Sequence, residues 1–364
     1  MQGKKGIIGA GFLIGIIAVI LVRFGNPVNM GICIACFIRD TVGGLGFQRA
    51  EVVQYIRPEI MGIVLGAFLM ALGKKEYKAR GGSAPLSRFI LGIIVIIGAL
   101  MFLGCPLRLV LRLAGGDLNA IFGLLGFAAG IIVGIQSLNK GFTLRRTYNF
   151  ASFEGYLFPA VNIGLLILLI TAPAFLFFST KGPGAAHAPL VMSLAAGLIV
   201  GMLAQRTRLC MVGGIRDLIL FKDWYLLAGF LAILAAALVG NLLFGQFKLG
   251  FVEQPVAHTD GLWNFLGMAL AGWGSVLLGG CPLRQLILAG EGNIDSVVTV
   301  LGMATGAALA HNFGLASSAQ GPTLNGKIAV GLGFIVILAI AYFNSDKSPE
   351  LTIKGGVKID LPSN

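Results

Sequence analysis

Charge is scarce along this chain of 364 residues: 12% are Asp, Glu, Lys or Arg, about half the share of a soluble globular domain. Acidic residues are scarcest, 15 against 27 Lys and Arg. Histidine occurs only at 187, 258 and 311, apart from the cysteines, and a zinc site takes about four ligands. No Gly-Lys-Ser/Thr follows the glycine-rich stretches, so pairs such as Gly115-Gly116 are not phosphate loops. The five cysteines (33, 36, 105, 210 and 281) make an odd number, four of them in or beside apolar stretches. That is a poor disulfide framework. No metal and no cofactor is expected.

Apolar residues dominate instead: 57% of the chain is hydrophobic, with 54 glycines and a mean hydropathy of +0.90. Small residues let helix backbones approach closely in lipid, so the composition reads as a polytopic membrane protein. The net charge of +12 does not imply nucleic-acid binding, because Lys and Arg cluster in short loops between apolar segments. Lys4 and Lys5 before an apolar run resemble a signal peptide, yet Arg23-Phe24-Gly25-Asn26 is no small-residue cleavage site. An uncleaved first helix is expected.

About ten crossings of roughly 20 residues are predicted, at 6–24, 59–73, 89–104, 118–138, 157–178, 190–206, 224–245, 261–279, 296–315 and 327–344. Four apolar pieces between them, 29–39, 106–114, 208–221 and 282–289, are too short to cross and read as half-helices or re-entrant segments buried in protein. The basic loops at 74–88 and 140–146, the cations around Cys210 and those of the tail place both termini in the cytoplasm. Arg39, Arg49 and Arg57 fall on the opposite side unless their segment folds back into the membrane.

Gly104-Cys105-Pro106-Leu107-Arg108 recurs letter for letter as Gly280-Cys281-Pro282-Leu283-Arg284, an offset of 176 residues. One Arg near the bilayer centre already costs roughly 2.5–3.5 kcal/mol, so two identical placements point to a shared function. A second pair of blocks, from Cys33 to Arg39-Asp40 and from Cys210 to Arg216-Asp217, aligns at an offset of 177. The chain therefore reads as an all-α transmembrane bundle of two homologous halves. Residues 1–150 form the first repeat, 151–189 a linker helix and loop, 190–345 the second repeat and 346–364 a cytoplasmic tail. The linker helix makes the second repeat inverted relative to the first, an arrangement that places a shared site near the midplane in transporters.

Within each five-residue block, Gly104 and Gly280 permit a backbone break, and Pro106 and Pro282 suit the first position of a new helix. Cys105 and Cys281 then sit at or beside a helix N-cap, where unpaired N–H groups make an anion site. Helix N-termini are also places where thiols become reactive. Arg108 and Arg284 add positive charge. Two such breaks meeting inside lipid predict a thiol-lined constriction, with Cys33 and Arg39, and Cys210 and Arg216, one step towards each surface. Soft sulfur contacts favour sulfur or selenium oxyanions over chloride or phosphate.

Plainer readings stand beside these. A buried cysteine is ordinarily a small hydrophobe, and Cys36, matched by Gly213, fits that role. Cys33-x-x-Cys36 is also the spacing of a redox pair, without the thioredoxin-like surroundings. Arg39-Asp40 and Arg216-Asp217 equally suit helix-end ion pairs.

At the Cys33 block, both Gly-Cys-Pro-Leu-Arg copies and Arg208-Leu209-Cys210, the chain resembles the YeeE/YedE sulfur-transport family. It looks most similar to the YedE branch of proposed selenium transporters. The resemblance implies a bacterial inner-membrane permease for thiosulfate or a related sulfur or selenium species, not an enzyme. By resemblance Cys33, Cys105 and Cys281 contact the passing ion, with Cys210 as the second-half counterpart. It also implies a small cytoplasmic sulfur-carrier partner of the TusA/YedF type. The alternative is a membrane-embedded sulfurtransferase or thiol redox enzyme using Cys33, Cys36 or Cys105.

Overall fold

The computed structural model describes residues 3–345; the expected tail, 346–364, lies outside the described residues. The first half runs α1 (Lys4–Arg23), α2 (Ile34–Gly44), α3 (Pro58–Gly73), α4 (Pro85–Met101), α5 (Pro106–Ala114) and α6 (Asn119–Asn139). After α7 (Ser152–Thr171), the same order of long and short helices returns. It comprises α8 (Leu190–Thr207), α9 (Met211–Phe221), α10 (Tyr225–Leu243), α11 (Gly261–Leu277), α12 (Pro282–Gly290) and α13 (Ile294–Asn312), before a final α14 (Leu324–Phe343). Two-residue strands β1 (Arg80–Gly81) and β2 (Tyr148–Asn149) pair antiparallel in the loops.

The chain is a multi-pass helical membrane protein. Among the described residues, nine stretches are long and apolar enough to cross a bilayer, counting α4–α5, α8–α9 and α11–α12 as one each; α3 is a shorter apolar tenth. The four short helices are those expected from the interrupted apolar runs. Each lasts 9 or 11 residues, or roughly 14–17 Å at 1.5 Å per residue. That reaches about half of a ~30 Å hydrocarbon core.

Packing interleaves the halves: α1 lies on α10, α3 on α8, α4 on α13 and α6 on α11. These pairs run in the same direction. Gly11 of α1 abuts Gly229 of α10 and Gly15 abuts Ile233, while Gly92 of α4 abuts Thr299 of α13 and Gly306 abuts Ile96. Helices α4 and α11 run in opposite directions, for Gly98 meets Ala271 while Gly274 meets Val95. At the offset of 176, Gly98 corresponds to Gly274 and Val95 to Ala271, so the contact is reciprocal. Glycines at these crossings let the backbones close to van der Waals distance.

Each end of the bundle is tied by its loops. At one end Arg80 pairs with Asn149, Ser83 N–H donates to Asp295 Oδ1 (3.0 Å) and Gln205 Nε2 donates to Glu76 Oε2 (2.8 Å). Phe142 bridges Ser345 there. The basic loops 74–88 and 140–146 belong to this end. At the other, Ala188 N–H donates to Asn26 Oδ1 (2.8 Å), and Lys248 N–H donates to Gly115 O (2.9 Å).

The cations that the loop rule left on the less basic side are accounted for. Arg39 and Arg57 are buried on either side of Asp40, at 2.7 and 2.8 Å. Arg57 stacks over Phe37 and Tyr55, and donates to the carbonyls of Pro183 (2.7 Å) and Ala186 (3.0 Å). Arg49 lies over the Phe177 ring. Arg39 and Arg57 are thus neutralised inside protein, where unpaired ions are costly, whereas Arg49 is exposed.

Candidate functional site

All four short helices begin at a cysteine. Cys33, Cys105, Cys210 and Cys281 are the N-caps of α2, α5, α9 and α12, each with an extended backbone. Cys33 Sγ accepts from the Cys36 N–H (3.3 Å) and Cys210 Sγ from the Gly213 N–H (3.4 Å). These are the bonds a Ser or Asp cap would make. Pro106 and Pro282 occupy the first turns of α5 and α12, where a missing N–H has no cost.

The short helices meet N-terminus to N-terminus. The Ile34 N–H of α2 donates to Cys105 Sγ at the head of α5 (3.3 Å). The Cys33 and Cys36 sulfurs lie 2.7 Å apart as free thiols, and Cys36 Sγ also donates to Leu103 O (3.7 Å). In the second half Cys210 and Cys281 are neighbours, the thiol at the head of α9 beside the thiol at the head of α12. In place of the single constriction expected from Cys105 and Cys281, the described sulfur–sulfur contacts form two groups, one per half. All five side chains are 0–6% exposed, within one continuous core. Each group collects the positive ends of two helix dipoles, a strong setting for an anion.

The left-handed residue at each break falls one position earlier than expected. Leu103 has φ 62° and Gly279 has φ 78°, whereas Gly104 and Gly280 serve close approach. A Cβ at Gly104 would stand 2.9 Å from Arg108 Cδ, and one at Gly280 would stand 2.9 Å from Arg284 Cγ. The glycines therefore let each Arg fold back across its own break.

What each Arg meets there differs. Arg108 is fully buried, and its described acceptors are backbone carbonyls and one sulfur. Nε donates to Asn29 O (3.1 Å), Nη1 to Leu103 O and to Cys36 Sγ (3.6 Å), and Nη2 to Val256 O (3.1 Å) and Pro255 O (3.4 Å). The last two belong to the loop between α10 and α11, which folds over the first group and carries His258 to Met101 O (2.8 Å). Among the described residues Arg108 has no carboxylate partner. Arg284 does: its Nη1 lies 3.1 Å from Glu291 Oε1. Arg39 and Arg216 are both engaged by the Asp that follows them, at 2.7 and 2.8 Å, in the middle of α2 and α9 and not at a helix end.

Several partners were not foreseen. Arg112, one turn beyond Arg108, pairs with Asp117 (2.6 Å), donates to Phe102 O (2.6 Å) and lies over the Phe102 ring; its Nη2 is buried without a partner. In the second half Leu288 replaces Arg112, and Gln285 Nε2 donates to the corresponding carbonyl of Leu278 (3.0 Å). Glu291 had a legible signal, since seven residues from Arg284 is two helical turns and so one face. Asp40 joining Arg57, 17 residues away, had none.

Residues 206–344 match the Sulphur transport family. A stretch of 111 residues is 29% identical to the thiosulfate transporter TsuA of Escherichia coli (strain K12), covering 30% of this chain and 31% of that one. Another, of 99 residues, is 33% identical to the thiosulfate transporter TsuA of Spirochaeta thermophila, covering 27% and 29%. The chain thus spans about a third of the length of the curated relatives it matches. The matched family region includes Cys210, Cys281 and Arg284 with the helices α9 and α12 that they belong to.

Proposed function

We propose that the chain is a non-enzymatic permease that takes up a small sulfur anion of the thiosulfate type across a bacterial cytoplasmic membrane. The observation that carries this reading is the pairing of cysteine-capped helix N-termini, once in each half. Helix ends supply N–H groups and positive potential for the oxyanion end, and thiols supply soft contacts for the sulfur end. The two relatives named as thiosulfate transporters support that choice of ion. Selenium analogues present the same two ends, so they fall within the proposed substrate class.

The proposed architecture is an inverted repeat of residues 1–150 and 190–345. Its support is the reciprocal antiparallel contact of Gly98 with Ala271 and Val95 with Gly274, since a two-fold relation makes residue i meet j and j meet i. The end bearing the basic loops is assigned to the cytoplasm, with both termini there. A small sulfur-carrier protein of the TusA/YedF type is the expected acceptor on that side. The first cysteine group then serves as the outer station and Cys210–Cys281 as the inner one. With every thiol packed, passage requires the short helices to part.

Uptake of labelled thiosulfate into proteoliposomes tests the reading. Cys105→Ala and Cys281→Ala are expected to fall to the background of protein-free vesicles, while Cys36→Ala retains uptake. Unchanged uptake in the first two overturns the site. The second reading, sulfur transfer by a membrane enzyme, is favoured by the 2.7 Å approach of Cys33 and Cys36. It requires a turnover-competent persulfide on Cys33, Cys36 or Cys105, which mass spectrometry after substrate exposure detects.

A further inference from the structure

Away from the cysteine groups, a cavity of about 250 Å³ opens at the basic end, lined by Lys75, Glu76, Lys78, Arg80, Arg208 and Glu291, with Asn293 beside them. Four of these side chains are cations, and none of the four has a carboxylate at ion-pair distance among the described residues. The two carboxylates are occupied elsewhere. Glu76 accepts from Gln205 (2.8 Å) and pairs with Arg206 (3.4 Å), while Glu291 pairs with Arg284 (3.1 Å). The lining therefore carries two more positive charges than negative ones, both negative ones turned to other partners.

The backbone sets this cavity's shape. Lys78 N–H donates to Glu291 O (3.1 Å) and Arg80 N–H to Gly292 O (3.3 Å), which fastens the loop after α3 to the end of α12. Two of the lining residues belong to the segments that carry the inner thiols. Arg208 stands two residues before Cys210, and Glu291 closes the helix that Cys281 opens. A volume of 250 Å³ is below the roughly 300–1,000 Å³ of drug-sized pockets, which suits a small ion and its hydration shell.

We infer that this cavity is a second anion-binding site, taking a small divalent sulfur oxyanion on the basic side of the Cys210–Cys281 pair. The transport reading supplies the identity of the ion; the charge and shape of the cavity supply the site. Confined positive potential concentrates anions there. Glu291 puts a carboxylate on the wall of the cavity, so it opposes a bound anion, weakens retention and favours release. At the equivalent position in the first half stands Gly115, and Arg108 has no such competitor.

Calorimetric titration of inorganic thiosulfate, and separately of sulfate, into the detergent-purified full chain tests this. In a Cys281→Ala background, binding of both ions is expected to persist and to weaken with salt. The double variant Lys78→Gln/Arg80→Gln is expected to bind roughly tenfold more weakly or worse, the low end of what focused charge supplies. Lys75→Gln/Lys78→Gln provides the same reading if the first fails to fold, and Glu291→Gln moves affinity the opposite way. Unchanged affinity in the folded charge variants, or binding indifferent to salt, overturns the site. Thiosulfate uptake with unchanged cavity binding sinks this site alone. Cavity binding that the double variant removes, with no uptake even by the unsubstituted chain, sinks the transport reading alone.

Discussion

The two copies of Gly-Cys-Pro-Leu-Arg start the same way and end in different surroundings. In the first, Arg108 is sealed by carbonyls from three segments, Arg112 pairs with Asp117 nearby, and the Arg39–Asp40–Arg57 cluster is buried alongside. In the second, Arg284 has one carboxylate partner at 11% and 14% exposure, and Arg216–Asp217 is 31% and 20% exposed. One layout has thus been fixed by buried ions in one half and left near solvent in the other. Ion pairs out of water are costly to break, and exposed ones contribute little. The first half should therefore hold its short helices more firmly.

The sharpest way to break that comparison is at the two aspartates. Asp40→Asn leaves two buried guanidinium groups without their shared carboxylate and should cost about 3–5 kcal/mol. Asp217→Asn should cost less than about 1 kcal/mol. Denaturant unfolding in detergent compares them, and equal losses would contradict the asymmetry. Next come the motif arginines. Arg108→Met uncaps several buried carbonyls and should destabilise by roughly 2–4 kcal/mol, against a smaller loss for Arg284→Met, which gives up a single, part-buried carboxylate partner. The smallest effect concerns the left-handed break. Gly279 has φ 78° with open space around a Cβ, so Gly279→Ala should cost only about 1 kcal/mol of backbone strain. Leu103 already bears that strain in the first half. A larger loss would mean that the second break is packed as tightly as the first.

Much of this was legible in the amino-acid order. Interrupted apolar runs located the four short helices, because a stretch of nine residues cannot cross lipid and needs a Gly or Pro boundary. The duplicated motif placed Cys105 and Cys281 at N-caps, since Pro is tolerated at a helix start and little elsewhere. What escaped was whatever depends on two distant segments meeting. Val256 reaching Arg108 and Arg57 reaching Asp40 leave no periodic trace. The grouping of thiols by half was hidden for the same reason: spacing along the chain says which helix a cysteine caps, not which cap it faces.

The crossing of α4 and α11 carries one more consequence. Two helices running oppositely touch there through Gly98 and Gly274, where a Cβ would stand 2.5 Å from Gly267 O and 2.7 Å from Val95 Cγ2, so even an alanine at either position would have to wedge the two halves apart.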